Sequence, residues 1–250
     1  MFVDEAVWGG NKQQAGSLKK MITERTRDIE QKHGARYQID AYTNYIFASN
    51  ESWVVPAGNK ARRFCAMEFN NEKAEAGNQD YFACIRKVPP EAFASYLHHF
   101  DISDFNVRDV PATALLRDQK ERRFSNAAAF WNQILCEGAI EACKGPGPNW
   151  TREWSEPMEI PNQDLFQAYQ EFLGNQTDRS VKNHANLIKE LRSYCTFENS
   201  RRTQRRALGK VVSVTMLPSL KNARLEFCKK MNDPKWFVDE SSTQDEHELE

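Results

Sequence analysis

Apolar residues recur along this chain in two rhythms, and the change between them marks its organisation. Up to about residue 75 the apolar runs are short, clustered or alternating, which predicts strands with an intervening helix. Phe2 to Asp4 is the end of one strand, and Ala15 to Thr26 carries Leu18, Met21 and Ile22 at helical spacing. Thr26 to Ile29 and Arg36 to Ile39 flank Lys32-His33-Gly34, a β-hairpin whose glycine suits the turn. Tyr45 to Ala48 predicts a short buried strand, and Arg63 to Phe69 alternates as another. From about Asp80 the period lengthens to that of a helix. Tyr81 to Ile85, Glu91 to Phe100 (behind Pro89-Pro90), Ala114 to Arg123 and Asn126 to Leu135 all predict helices. Gly145-Pro146-Gly147-Pro148 then punctuates the chain as a linker. Gln163 to Leu173 and Val181 to Tyr194 predict amphipathic helices, Val211 to Met216 a β-branched strand, and Leu220 to Lys230 a final helix.

The class is therefore α/β. The divisions expected are an α/β part over residues 1–75, a helical region over 76–145, a linker over 146–160, a small winged-helix-like module over 161–237, and a disordered tail over 238–250. A length of 250 residues is enough to bury a sizeable core. The net charge of −1 names no partner, but its distribution does. Between Arg179 and Lys230 stand thirteen lysines and arginines against three acids, while Asp239 to Glu250 holds six acids and no such cation. A basic module is hidden inside a neutral average. The six cysteines show no CxxC pair and no hydrophobic leader opens the chain, so reduced thiols in a soluble intracellular protein are expected. No apolar run reaches the roughly 20 residues of a membrane span.

The candidate chemistry sits mostly at strand ends. Asp4 and Glu5 close the first strand, where ligands bind in open α/β sheets. They are either a surface pair or a site in which Asp4 holds Mg²⁺ through its waters and Glu5 orients an attacking water. Asn50 closes the Tyr45–Ala48 strand, either as a turn former or as an amide touching a γ-phosphate. Lys32 and His33 at the hairpin tip are a solvated turn or a contact to nucleic-acid backbone. Arg62 and Arg63 are surface arginines or an arginine finger. Arg201, Arg202, Arg205 and Arg206, flanked by Lys182, Lys189, Lys210 and Lys221, form a solvated face or a salt-dependent nucleic-acid contact. Trp131, Trp150, Trp154 and Trp236 read as packing residues. The adjacent His98 and His99 lack the i, i+4 spacing of a ligand pair, and no GxSxG or Cys-His arrangement occurs.

In their order, Asp4-Glu5, Lys32-His33, Asn50 and Arg62-Arg63 resemble the ATPase of superfamily three helicases. The strings FVDEAVWGG…AGSLKKMIT, IFASNESWVVPAGNKARRF and HHFDISDFNVRDVPATALLRDQK are similar to the helicase domain attached to phage and viral primases and primase–polymerases. This resemblance covers about residues 1–145, and Leu217 to Arg224 looks like the end of such proteins. It implies the C-terminal half of a P-loop (AAA+-like) ATPase domain that uses ATP and Mg²⁺. Asp4 and Glu5 match the Walker B pair, Asn50 the sensor, and Arg62 or Arg63 the finger. Lys32 and His33 match residues that travel with single-stranded DNA through the pore of a homo-oligomeric ring, a hexamer in the complete protein. Lys19 lies in the helix before that hairpin and would help contact the DNA. A primase domain or a missing N-terminal half is the further partner implied. The family's phosphate loop, GxxxxGK[ST], lies upstream of the Walker B strand and is not in these residues. The expectation is thus a chain that does not hydrolyse ATP alone. A non-catalytic DNA-binding or replication-assembly protein is the alternative.

Overall fold

The computed structural model describes residues 1–5, 12–30, 35–70, 72, 79–106, 109–142, 149–174, 178, 180–197, 205–207 and 210–238. Two short strands, β1 (Phe2–Val3) and β4 (Ile46–Phe47), pair in parallel with Phe2 opposite Ile46 and Val3 opposite Phe47. Parallel neighbours need a long crossover. Here it holds helix α1 (Lys12–Thr23) and an antiparallel pair, β2 (Thr26–Glu30) with β3 (Arg36–Asp40). The hairpin expected over these residues is present, and Arg36 is ion-paired with Asp28 across it. Leu18 of α1 turns inward with Val55, Ala57, Phe64, Ala66 and Leu116 to make a small apolar cluster.

Helices α2 (Gln79–Lys87) and α3 (Pro90–His99) follow, and among the described residues neither is packed into a buried core. Tyr81, Phe82, Ile85, Phe93, Tyr96, Leu97 and Phe100 are all exposed. Next comes α4 (Ala114–Glu121), capped by Thr113, whose hydroxyl accepts from Leu116 N–H and donates to the Ala66 carbonyl. This helix joins two parts of the molecule. On one side the Gln119 amide oxygen accepts from Val54 and Val55 N–H at 2.8 and 3.2 Å, while its nitrogen donates to the Ser52 carbonyl at 2.8 Å. On the other, Lys120 Nζ donates to the Met231 carbonyl at 2.7 Å, and Arg117 Nε meets Asp233 Oδ2 at 2.7 Å.

The larger core begins at α5 (Asn126–Glu137), which Ser125 caps at its start and Gly138 ends at a φ of 67°. Beyond it lie β5 (Ala139–Ala142) paired with β6 (Trp150–Glu153), then β7 (Met158–Pro161) leading into α6 (Asn162–Leu173) and α7 (His184–Leu191). Strand β8 (Arg205–Ala207) pairs with β9 (Lys210–Val212), β10 (Val214–Leu217) returns against β7, and α8 (Leu220–Met231) closes the order. One cluster of buried side chains, including Trp131, Trp154, Tyr169, Leu187, Leu191 and Phe227, holds α5 to α8 together with β5, β7 and β10. Phe124, Tyr194, Trp236 and Phe237 ring Phe227 at 5.7–6.0 Å between centroids. Trp131, Trp154 and Trp236 are buried and Trp150 packs against the same cluster, so the tryptophans serve packing as expected. The indole N–H of Trp154 donates to the Pro218 carbonyl at 2.9 Å, and that of Trp236 to Asn132 at 2.8 Å.

Several elements differ from the sequence expectation. The helix expected from Ala15 to Thr26 runs instead from Lys12 to Thr23, because Thr26 already belongs to β2. The helix expected from Val181 to Tyr194 is only His184–Leu191, since Asn183 takes the extended capping geometry and accepts from Asn186 N–H at 3.0 Å. Arg63 to Phe69 keeps its alternation, with Phe64 and Ala66 buried and Cys65 and Met67 exposed, yet it forms no strand. Its Ala66 carbonyl is bonded by the α4 cap instead of a neighbouring strand. Val211 to Met216 is broken at Ser213, whose carbonyl accepts from Asn162 N–H, into two strands with different partners. The stretch 146–160, expected as linker, holds strand β6 and all but the last residue of strand β7. The acidic tail from Asp239 onward and the Gly145–Pro148 segment lie outside the described residues.

Candidate nucleotide and nucleic-acid site

The parallel register of β1 and β4 decides what stands beside what. Val3 faces Phe47, and the Ala48 N–H donates to the Val3 carbonyl at 2.9 Å, so the pairing reaches the last residue before Asp4. Asp4 and Glu5 leave one strand at the same edge where Ser49 and Asn50 leave the other. Asp4, Glu5 and Asn50 are exposed, and Ser49 is half-buried. Glu5 has a φ of 51°, a left-handed backbone unusual for a residue with a side chain, and its N–H is held by Asp4 Oδ1 at 3.0 Å. Two carboxylates and an amide oxygen are hard donors that fit Mg²⁺, which uses one or two protein carboxylates and keeps its remaining positions for water and phosphate.

A second grouping is cationic. Arg63, before the buried Phe64, and Arg123, just past α4, stand close enough to Lys19 on α1 to act on its charge. Burial, then Arg123, then Arg63 hold the Lys19 ammonium below the usual lysine range. Arg123 Nη1 donates to the Pro56 carbonyl at 3.2 Å, which fixes its position against the segment after Asn50. Sequence reasoning singled out Lys19 and Arg63 but missed Arg123; the available signal was a second arginine pair, Arg122-Arg123, at a helix end. Arg62 is exposed beside this group.

The third region is the basic module. Its α7 buries Leu187, Ile188 and Leu191 and leaves Ala185, Asn186 and Lys189 exposed, with Lys182 ahead and Arg192 behind. Arg205 and Arg206 lie on β8, opposite Val212 and Val211. Lys32 and His33, in the connection between β2 and β3, and Arg201 and Arg202 lie outside the described residues. Among the described residues no cluster of three or more metal-ligating side chains occurs, and no helix is long and apolar enough to cross a membrane.

Comparison with known proteins gives a fold of defined likeness. The apo structure of the NrS-1 C terminal region (305-718) matches with a TM-score of 0.51 at 18% identity, over 86% of this chain and 54% of that one. The A form apo structure of the same region matches with a TM-score of 0.47 at 16% identity, over 86% of this chain and 53% of that one. The chain thus spans about half the length of the solved structures it resembles. A model for a family of unknown function, DUF5906, matches residues 1–63, the segment that holds Asp4, Glu5, Lys19, Asn50, Arg62 and Arg63. No curated protein sequence matches the chain.

Proposed function

We propose that this chain carries the C-terminal half of an ATP-dependent DNA helicase of the superfamily three, primase-associated type, acting in phage or viral DNA replication. The observation that carries the reading is the parallel pairing of β1 and β4, which brings Asp4-Glu5 and Asn50 to one sheet edge. In a P-loop (AAA+-like) ATPase that edge faces the triphosphate. Bound Mg²⁺ supplies charge neutralisation on the β- and γ-phosphates. Asp4 would hold the ion, Glu5 would orient the attacking water, and the Asn50 amide would contact that water and the γ-phosphate. Arg62 or Arg63 reaches the nucleotide of the next subunit in a homo-oligomeric, hexameric ring. The uncovered apolar faces of α2 and α3 support assembly, since contiguous exposed apolar surface of this kind normally meets a partner. Lys19, Lys32 and His33 grip single-stranded DNA, while Arg201, Arg202, Arg205 and Arg206 belong to a winged-helix-like module. The phosphate loop comes from a segment outside this sequence, a fused primase portion or a separate N-terminal half, so this chain alone does not turn over ATP.

A second reading is a non-catalytic DNA-binding or replication-assembly protein, favoured by the exposed cations of the basic module. ATP turnover in the presence of single-stranded DNA separates the two. It is measured on this chain and on a version extended by the upstream phosphate-loop sequence. Activity confined to the extended form and abolished by Glu5→Gln is the expected result. Turnover unchanged by Glu5→Gln refutes the motor assignment, and DNA binding with no turnover in either form favours the second reading.

A further inference from the structure

We infer that the α2–α3 helix pair is the contact surface for a second copy of this chain, with the two α3 helices packed antiparallel about a two-fold axis. This goes beyond the ring reading, whose contacts join unlike faces, and it stands whether or not the chain belongs to a motor. Helices α2 and α3 have 9 and 10 residues, shorter than the roughly 12–15 at which even isolated helices are marginal in water. Packing normally makes up that deficit, yet α3 has no buried residue and no described side chain of α2 is buried.

Both helices are nevertheless amphipathic. Phe93, Tyr96, Leu97 and Phe100 follow i, i+3, i+4, i+7 spacing, which sets them along one side of α3. The rings of Tyr96 and Phe100 meet there at 5.8 Å between centroids. Glu91, Ser95, His98 and His99 take the opposite side, while Ala92 and Ala94 flank the stripe and are small enough to let a second helix approach. Tyr81, Ile85 and the following Val88 repeat the pattern on α2, away from Arg86 and Lys87. The apolar area is large. Six aromatic residues between Tyr81 and Phe105 are 38–69% exposed. At about 200 Å² for each side chain they present roughly 600 Å², already the upper end of the largest patch on a typical monomer. Ile85, Val88, Leu97 and Ile102 add to it, bringing the total to about the 800 Å² that one partner gives a stable interface.

The order of residues in the stripe favours a second copy as its occupant. When two identical helices pack antiparallel about a two-fold axis, residue i meets residue j and j meets i. About a centre between Tyr96 and Leu97, Phe93 opposes Phe100 and Tyr96 opposes Leu97, so every position of the stripe meets an apolar one. Charge selects the same direction. Arg86 and Lys87 stand before one end of α3, and Asp101 and Asp104 stand beyond the other. Antiparallel pairing brings the cations of one copy towards the acids of the other and opposes the two helix dipoles, whereas parallel pairing sets like charge against like.

Sedimentation velocity on the full chain, under reducing conditions and between about 1 and 100 μM, tests this. The expected result is a concentration-dependent equilibrium between monomer and dimer. Phe93→Glu and Phe100→Lys each weaken it by about tenfold or more, since each puts an unpaired charge into an apolar contact. The double variant Phe93→Glu/Phe100→Lys associates at least about fivefold more tightly than either single variant, because each glutamate then faces a lysine of the other copy. Within one helix the two positions are too far apart to pair. Leu225→Glu, at an exposed apolar residue of α8, leaves the equilibrium unchanged. Circular dichroism of each variant reads the fold independently of the association. A monomer throughout the range, association unmoved by the single variants, or a double variant no tighter than the singles overturns the inference and leaves the surface to an unlike partner. ATP turnover is not read in this experiment, so its outcome and that of the motor assignment stay separate.

Discussion

Asp233→Asn removes one charge from an ion pair whose carboxylate side chain is 0% exposed and whose arginine side chain is 15% exposed. The amide keeps an oxygen for the Lys235 N–H, now bonded at 2.9 Å, so the change isolates the charge interaction. Arg117 is left facing an amide, and Lys120, beside it, loses its nearest anion. Removing one partner of a buried pair costs about 3–5 kcal/mol; the partial exposure of Arg117 puts the loss at about 3 kcal/mol. For a chain of this size that is roughly 6–12 °C in melting temperature, read by circular dichroism or calorimetry. A cycle with Arg117→Met sharpens the test. The double variant should be less destabilised than the two singles added, with a coupling of about 2 kcal/mol, because it removes both charges together. Lys120 adds a pH signature. Burial holds its pKa below the ordinary value, Asp233 raises it and Arg117 lowers it. The folded state therefore binds this proton less tightly than the unfolded chain, and stability rises as pH climbs towards the usual lysine range. Without the Asp233 charge the depression deepens, so the deficit of Asp233→Asn should narrow between pH 7 and about 10. A melt within about 1 °C of the parent, or strict additivity in the cycle, refutes the reasoning.

Three further outcomes are expected. Burial opposes the Asp178 charge, but hydrogen bonds from Ser180, Tyr169 and the backbone hold its pKa at about 2. Its contribution is therefore intact above the unfolded carboxylate range near pH 4 and is lost as pH falls through about 2; Asp178→Ala should abolish that part of the acid-unfolding curve followed by Tyr169 absorbance. Burial, and then Glu226, push the Cys195 thiol up to about 12, so iodoacetamide at pH 8 should label the exposed Cys65, Cys84 and Cys136 in the native protein and spare Cys195 by mass spectrometry. Gly138→Ala should cost at least about 1–2 kcal/mol in urea unfolding, because an L-residue resists its left-handed backbone and the new Cβ would sit 3.1 Å from Leu220.

How far the fold was legible from sequence depended on the reach of the interactions. Helical periodicity located α2 to α6 and α8 to within a few residues, since each is amphipathic over two turns or more. The helix ends that differed were decided by single residues, Asn183 for α7 and Thr26 for α1. Strands β5 to β7 went unread because four residues are too few to show a period. β6 also opens beside Gly145–Pro148, whose composition reads as a loop. The two strands that Asp4-Glu5 and Asn50 follow were legible from the apolar runs ahead of them, and their parallel pairing sets these residues at the same end of the pair. Arg123 was not, and neither was the role of α4, because their partners lie far away in sequence.

Those distances have a consequence for the order in which the protein can be finished. Met231 and Asp233, which receive Lys120 and Arg117, are 111 and 116 residues further along the chain. At a synthesis rate of 5–20 residues per second, α4 waits roughly 6–23 s for them. Through that interval its cationic side stays hydrated while Gln119, whose partners at Ser52, Val54 and Val55 are already made, can dock. Until then α4 has its Gln119 side docked and its Arg117 and Lys120 side open. Any contact that needs that side of α4 open has its opportunity on the ribosome.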